Sequence, residues 1–122
     1  MSLNFFQTNE LDTLSHEYAE NGYVIINSCF SQVKNIYDVF DEIKISLPLD
    51  PPLHSRCNFD AFSDSMFGGL DSLENDKVCV FLVDIKKALR NDSKNYHILL
   101  DIFSDNLSYL ESEGKQIVFF IS

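Results

Sequence analysis

Positive charge is scarce in this sequence: nine lysines and arginines stand against nineteen aspartates and glutamates, a formal charge of −10. A uniformly acidic chain is repelled by nucleic acid and by anionic membrane surfaces and is attracted to basic proteins, which argues against a nucleic-acid binder. Cysteine is scarce as well. Cys29, Cys57 and Cys79 cannot all pair within one chain, and no CxxC or Cys/His cluster suggests zinc. No apolar run approaches the roughly 18 residues that span a bilayer. The opening Met1-Ser2-Leu3-Asn4-Phe5-Phe6 lacks the basic region and long apolar run of a secretory signal, so a reducing cytoplasm is the expected location. There is no internal repeat or low-complexity tract, and the three prolines, Pro48, Pro51 and Pro52, sit together.

What is present is a globular composition, 45% apolar with eleven Phe and five Tyr, in 122 residues that fit one domain with its own core. Three short apolar runs stand out: Tyr23 to Ile26, Val78 to Val83 and Ile117 to Ile121. They are rich in Val, Ile and Phe and barely alternate, which fits parallel strands covered on both faces. Helical patterns lie between them. Val33, Ile36, Phe40, Ile43 and Leu47 make one stripe, with Ser31 as the expected cap and the proline segment as the stop. A second helix is expected from an Asn58 cap to a C-terminus at Gly68-Gly69, with Phe59, Phe62 and Met66 facing the core. Ile85 to Leu89 suits a short helix. A last one, capped by Asp92 or Ser93 and ended by Gly114, carries Leu99, Phe103, Leu107 and Leu110. Strands joined by helices predict an α/β fold with right-handed crossovers. Residues 1–21 precede this pattern and read as an N-terminal extension with a short helix around Asn9 to Glu20; residues 22–122 form the domain.

The second helix is the most informative segment. Asp60 and Asp64 are four apart, so both carboxylates project from one face, shared with Ser63 and Phe67. Like charges at that spacing destabilise an isolated helix by a few tenths of a kcal/mol. The electropositive helix N-terminus offsets part of this at Asp60. Such a face is either an ordinary solvated surface or an acidic knob for a cationic groove, and Phe67, an aromatic beside paired acids, favours the second. General acid/base work has no other support, because His16, His54 and His97 are scattered and no phosphate loop or metal-ligand spacing is present. Asp101 and Asp105 on the last helix read as a solvated face. Cys29 is the one candidate nucleophile, if a helix N-terminus lowers its pKa, but no base lies close in sequence.

The run Asn58-Phe59-Asp60-Ala61-Phe62-Ser63-Asp64, the Gly68-Gly69 pair, Val24-Ile25-Ile26-Asn27 and the closing Glu113 to Ser122 together resemble the barstar-like family, over about residues 22 to 122. Its members are intracellular inhibitors of barnase-type bacterial ribonucleases. The resemblance implies a three-stranded parallel sheet packed by helices. It also implies an acidic second helix that, with the loop before it, plugs the active site of a basic ribonuclease. On that basis Asp60 and Asp64 match the two helix acids of the inhibitory face, Asp64 in the dominant position, and His54 falls where the family has an aromatic from the preceding loop. Ser63 and Gly69 stand at tryptophan positions of the family and Tyr109 at an interface acid, with Glu111 nearby. Retained acids in altered surroundings imply the same mode of action on a different toxin.

The expected function is therefore a cytoplasmic, non-enzymatic immunity protein, a monomer until it binds a basic ribonuclease toxin. His54, Asn58, Asp60, Ser63, Asp64, Phe67 and Tyr109 form the expected partner face. No cofactor, metal, nucleic acid or membrane is expected. The alternatives are a barstar-like interaction domain with a non-nuclease partner, which the changes at Ser63, Gly69 and Tyr109 would suit, and a small α/β enzyme using Cys29.

Overall fold

The computed structural model describes residues 3–122. In chain order the elements are β1 (Leu3–Phe5), α1 (Leu11–Glu20, after a 3-10 turn at Thr8–Glu10), β2 (Val24–Cys29), α2 (Ile36–Ser46), α3 (Phe59–Asp71), β3 (Lys77–Val83), α4 (Ile85–Ala88), α5 (Ser93–Ser112) and β4 (Gln116–Ile121). All strand pairs are parallel, in the order β1-β4-β3-β2. The fold is α/β as expected, but the sheet has four strands rather than three. The fourth is Leu3-Asn4-Phe5, which pairs with the edge of β4 so that Leu3, Phe119, Val80 and Ile26 form one row across the sheet. Pairing at that edge satisfies backbone groups that β4 would otherwise leave open. Three residues carry too little periodicity to announce a strand.

The two faces of the sheet carry separate cores. On one, α2, α3 and α5 pack over Val78, Val80, Leu82, Ile117, Phe119 and Ile121. Phe40, Phe62, Phe103 and Phe119 form a chain of edge-to-face rings at 5.3–6.2 Å there. Each fully buried ring is worth roughly 1.5–3 kcal/mol in transfer terms. On the other face, Cys79, Phe81, Val83, Val118 and Phe120 are roofed by Phe6 and by Leu11, Leu14 and Tyr18 of α1. The unalternating apolar strands are thus explained by helices on both sides.

Two expected boundaries move. The first helix starts at Ile36 rather than Val33, because Asn35 is its cap, accepting from the Asp38 N–H at 3.0 Å. Ser31 donates instead to Asp84. The Gly68-Gly69 pair does not end α3, which continues to Asp71. A Cβ at Gly68 would sit on the Asp50 carbonyl oxygen, and one at Gly69 on the Pro48 carbonyl. These glycines let the chain leaving α2 lie directly on α3, where Asp50 N–H donates to Ser65 O at 2.9 Å.

Candidate protein-docking face

The inner side of α3 is held by Phe62, Met66 and Leu70, all at most 1% exposed, and Phe59 meets the Phe40 ring at 5.5 Å. Its start is fixed by Asn58, whose Oδ1 accepts from the Ala61 N–H at 3.0 Å. Asn58 is therefore bound to a capping task, and it sets the orientation of the first turn that carries Asp60. With the inner residues anchored, helical geometry turns Asp60 and Asp64 outward, and both are exposed. Among the described residues neither carboxylate makes an ion pair or a side-chain hydrogen bond in a chain that carries nineteen acids.

α5 supplies the other wall. Asn106, only 2% exposed, donates through Nδ2 to Ser63 Oγ at 3.1 Å and to the Ile102 carbonyl at 3.0 Å, bolting the two helices together beneath the surface. Above that bolt the Phe67 ring meets Tyr109 edge-on, with centroids 6.4 Å apart at 90°. Tyr109 is 66% exposed, and Phe67 is half-buried under it. Ser63, Asp64, Phe67, Asn106 and Tyr109 line one shallow groove between α3 and α5. Phe67 thus buttresses Tyr109. Asp101, Asp105 and Tyr109 follow at intervals of four on α5, so two further exposed carboxylates share a stripe with the tyrosine that lines the groove.

The structure brings Ser63, Asp64, Phe67 and Tyr109 to one groove and sets Asp60 on the same face of α3. His54 lies apart from the groove, exposed on the segment that leads into α3. That segment is pinned by Leu53, 8% exposed, and by Arg56, whose guanidinium carbon lies 4.6 Å from the Tyr37 ring centroid. Asn106 was not anticipated. A signal existed: it falls three residues after Phe103 and four before Leu110, a polar residue on the buried stripe. Gly69 is buried against the Pro48–Leu49 backbone, so no side chain fits at that position without moving the chain.

The remaining candidates sit elsewhere. Cys29 ends β2 with its Sγ 3.1 Å from Ser31 Oγ, seven residues before the start of α2. Cys79 is wholly buried, and burial pushes its thiol up to about 12. His16 pairs with Glu20 at 2.9 Å on the surface, and His97 contacts the Ser93 carbonyl. Among the described residues no group of three or more His, Cys, Asp or Glu is placed to hold a metal ion, and no helix is long and apolar enough to cross a membrane.

A cluster outside this face organises the carboxyl end of the sheet. Asp84, at φ 63° after β3, accepts from Thr8 Oγ1 at 2.8 Å and from Ser31 Oγ at 2.7 Å, while its own N–H donates to Ser122 Oγ at 2.9 Å. The Ser31 and Thr8 hydrogen bonds hold its carboxyl below the usual range.

In a comparison with protein families, the family model described as Barstar (barnase inhibitor) matches residues 23–122. Searches of curated proteins and of solved structures find no match. β1 and α1 lie outside the matched residues.

Proposed function

The chain belongs to the barstar family, and from that premise we propose that it is a non-catalytic immunity protein that binds a basic ribonuclease toxin in the cytoplasm and covers its active site with the α3 face. The observation that carries the reading is the pair Asp60 and Asp64, exposed and without ionic partners among the described residues, on a helix whose inner side is locked into the core. A rigid helix presents its carboxylates with little ordering cost on binding. Lacking internal partners, they are free to meet the arginines and lysines that line a phosphate-binding cleft. The net charge of −10 adds long-range attraction to a cationic partner, which can raise association to about 10⁸ M⁻¹s⁻¹ or more at low salt. The protein meets the toxin as a monomer.

The test is differential capture. Wild-type protein and an Asp60→Ala/Asp64→Ala variant are immobilised side by side and exposed to lysate of the source organism. A basic protein retained only by the wild type, with ribonuclease activity that free wild-type protein quenches, is the expected result. Asp64→Ala alone should cost on the order of 2–5 kcal/mol of affinity, a range that the barnase–barstar complex itself helped to define. Equal capture by both baits would remove α3 from the interface. A second reading is favoured by Tyr109, an exposed aromatic where the family resemblance leads one to expect an acid: a family member retargeted to a non-nuclease protein. A captured partner without hydrolytic activity would select it.

A further inference from the structure

The cations of this chain are distributed unevenly. Lys34, Lys86, Lys87, Arg90 and Lys94 lie in the two connections that follow β2 and β3, at the carboxyl end of the sheet. Adjacent strands of parallel α/β sheets commonly bind ligands outside this end. Three of these cations converge on one cleft of about 400 Å³. Lys34 comes from the turn before α2, Lys87 and Arg90 from α4 and the residues after it; Asn91 lines the cleft too, as does Asn35, whose amide is engaged with Asp38.

The charge in the cleft is only partly compensated from within. Among the described residues none of the three cations forms an ion pair, although the chain holds nineteen acids. Two nearby carboxylates accept hydrogen bonds from neutral donors. Asp92, at the cleft wall, is turned to Asn95, accepting from its Nδ2 at 2.7 Å and its N–H at 3.4 Å as the cap of α5. Asp84 accepts from Ser31 and Thr8, and the Lys87 charge adds to these in holding its carboxyl low. Two facing segments therefore bring three cations to a cleft whose own wall carries one carboxylate, Asp92. An anion entering there gains charge-assisted contacts to the cations.

We propose that this cleft is an anion site for a small di- or triphosphate. A concave site with three cations and the Asn91 amide matches a short chain of phosphoryl oxygens. The rest of its wall is Ser31, Val33, Asn35, Ala88 and Asp92, with no aromatic surface on which a base would stack. Recognition therefore falls on the phosphates. No residue of the α3 face lines the cleft, so both sites can be filled together and each stands or falls without the other.

The test is an NMR titration of the full-length chain with pyrophosphate, tripolyphosphate, ADP and sulfate, all at one ionic strength. Saturable shifts at the amides of Asn35, Ala88 and Asn91 are expected, with tripolyphosphate tighter than pyrophosphate, ADP equal to pyrophosphate, and sulfate far weaker. Lys87→Gln and Arg90→Gln, both at exposed positions, should each weaken pyrophosphate at least about tenfold, as expected for a lost charge-assisted contact. Lys44→Gln on α2, outside the cleft, should leave it unchanged. The proposal is overturned if pyrophosphate gives no saturable shift, if sulfate binds equally well, if ADP binds where pyrophosphate does not, or if the two cleft variants bind like the wild type.

Discussion

Replacing Gly69 with alanine tests whether the segment from Pro48 to Asn58 is seated on α3 by backbone contact. In an open helix the exchange would help by about 1 kcal/mol, because alanine is the better helix former. Here the new methyl would fall on the carbonyl group of Pro48, with the Leu49 nitrogen only 2.8 Å away. These atoms belong to one peptide plane and cannot rotate aside as a side-chain tip would. The plane is also tethered, by the Asp50 N–H to Ser65 O bond at 2.9 Å and by buried Leu47 and Leu53. Overpacking against mobile side chains costs about 1–3 kcal/mol. Against a fixed backbone the upper part of that range applies, and subtracting the propensity gain leaves a net loss of about 2 kcal/mol. With a urea slope of about 1–3 kcal/mol per M, the unfolding midpoint should fall by roughly 1 M. Gly114→Ala is the control, since its methyl would meet nothing within 4 Å and its cost comes only from φ +84°. The NMR signals of His54 should shift in Gly69→Ala, because His54 rides on the displaced segment, and stay in place in Gly114→Ala. An unchanged or higher midpoint in Gly69→Ala would refute the close-approach argument.

Two further outcomes follow from the sheet's carboxyl end and its second face. The Asp84 carboxyl is held below its unfolded value, so its contribution to stability is full above about pH 4 and is lost as pH falls through the folded value. Asp84→Asn keeps a residue that tolerates the left-handed backbone and removes the charge. Its acid-unfolding curve should be flatter than the wild type's below about pH 4, and superimposable curves would dismiss the Thr8 and Ser31 hydrogen bonds as a source of acid sensitivity. The Tyr18 ring lies 5.0 Å from Tyr23 and 5.3 Å from Phe120, roofing the layer that buries Cys79. Tyr18→Ala should lower stability by about 1–3 kcal/mol and raise the thiol-labelling rate of Cys79 under native conditions, while exposed Cys29 labels at its former rate. A Cys79 rate that does not change would show that α1 is not what covers it.

Much of the site was legible because helix periodicity is local. The spacing of Phe59, Phe62 and Met66 places Asp60 and Asp64 on the opposite side of the same helix whatever else the chain does. Asn58 as a cap and Asp92 as the cap of α5 are equally local, each needing only an N–H three residues on. The groove was not legible, since it exists only where α5 lies against α3, and the contact that sets their separation joins residues 63 and 106. Gly68-Gly69 shows the same limit in reverse. A glycine pair at the end of an apolar stripe has the look of a helix terminus, yet its use is to admit a distant stretch of backbone.

Local sequence was enough for the type and order of the elements from α1 to β4, the outward turn of the two aspartates and the acidity that favours a cationic partner. Each of these depends on neighbours within a helical turn or on composition alone. Only the tertiary structure decided that Leu3 to Phe5 complete the sheet, that α1 roofs its second face, that Tyr109 stands beside Asp64, and that Lys34, Lys87 and Arg90 share a cleft. These pairings join residues far apart in the chain. What selects them is the burial of apolar faces and the pairing of an open strand edge, and neither is expressed in any short stretch of sequence.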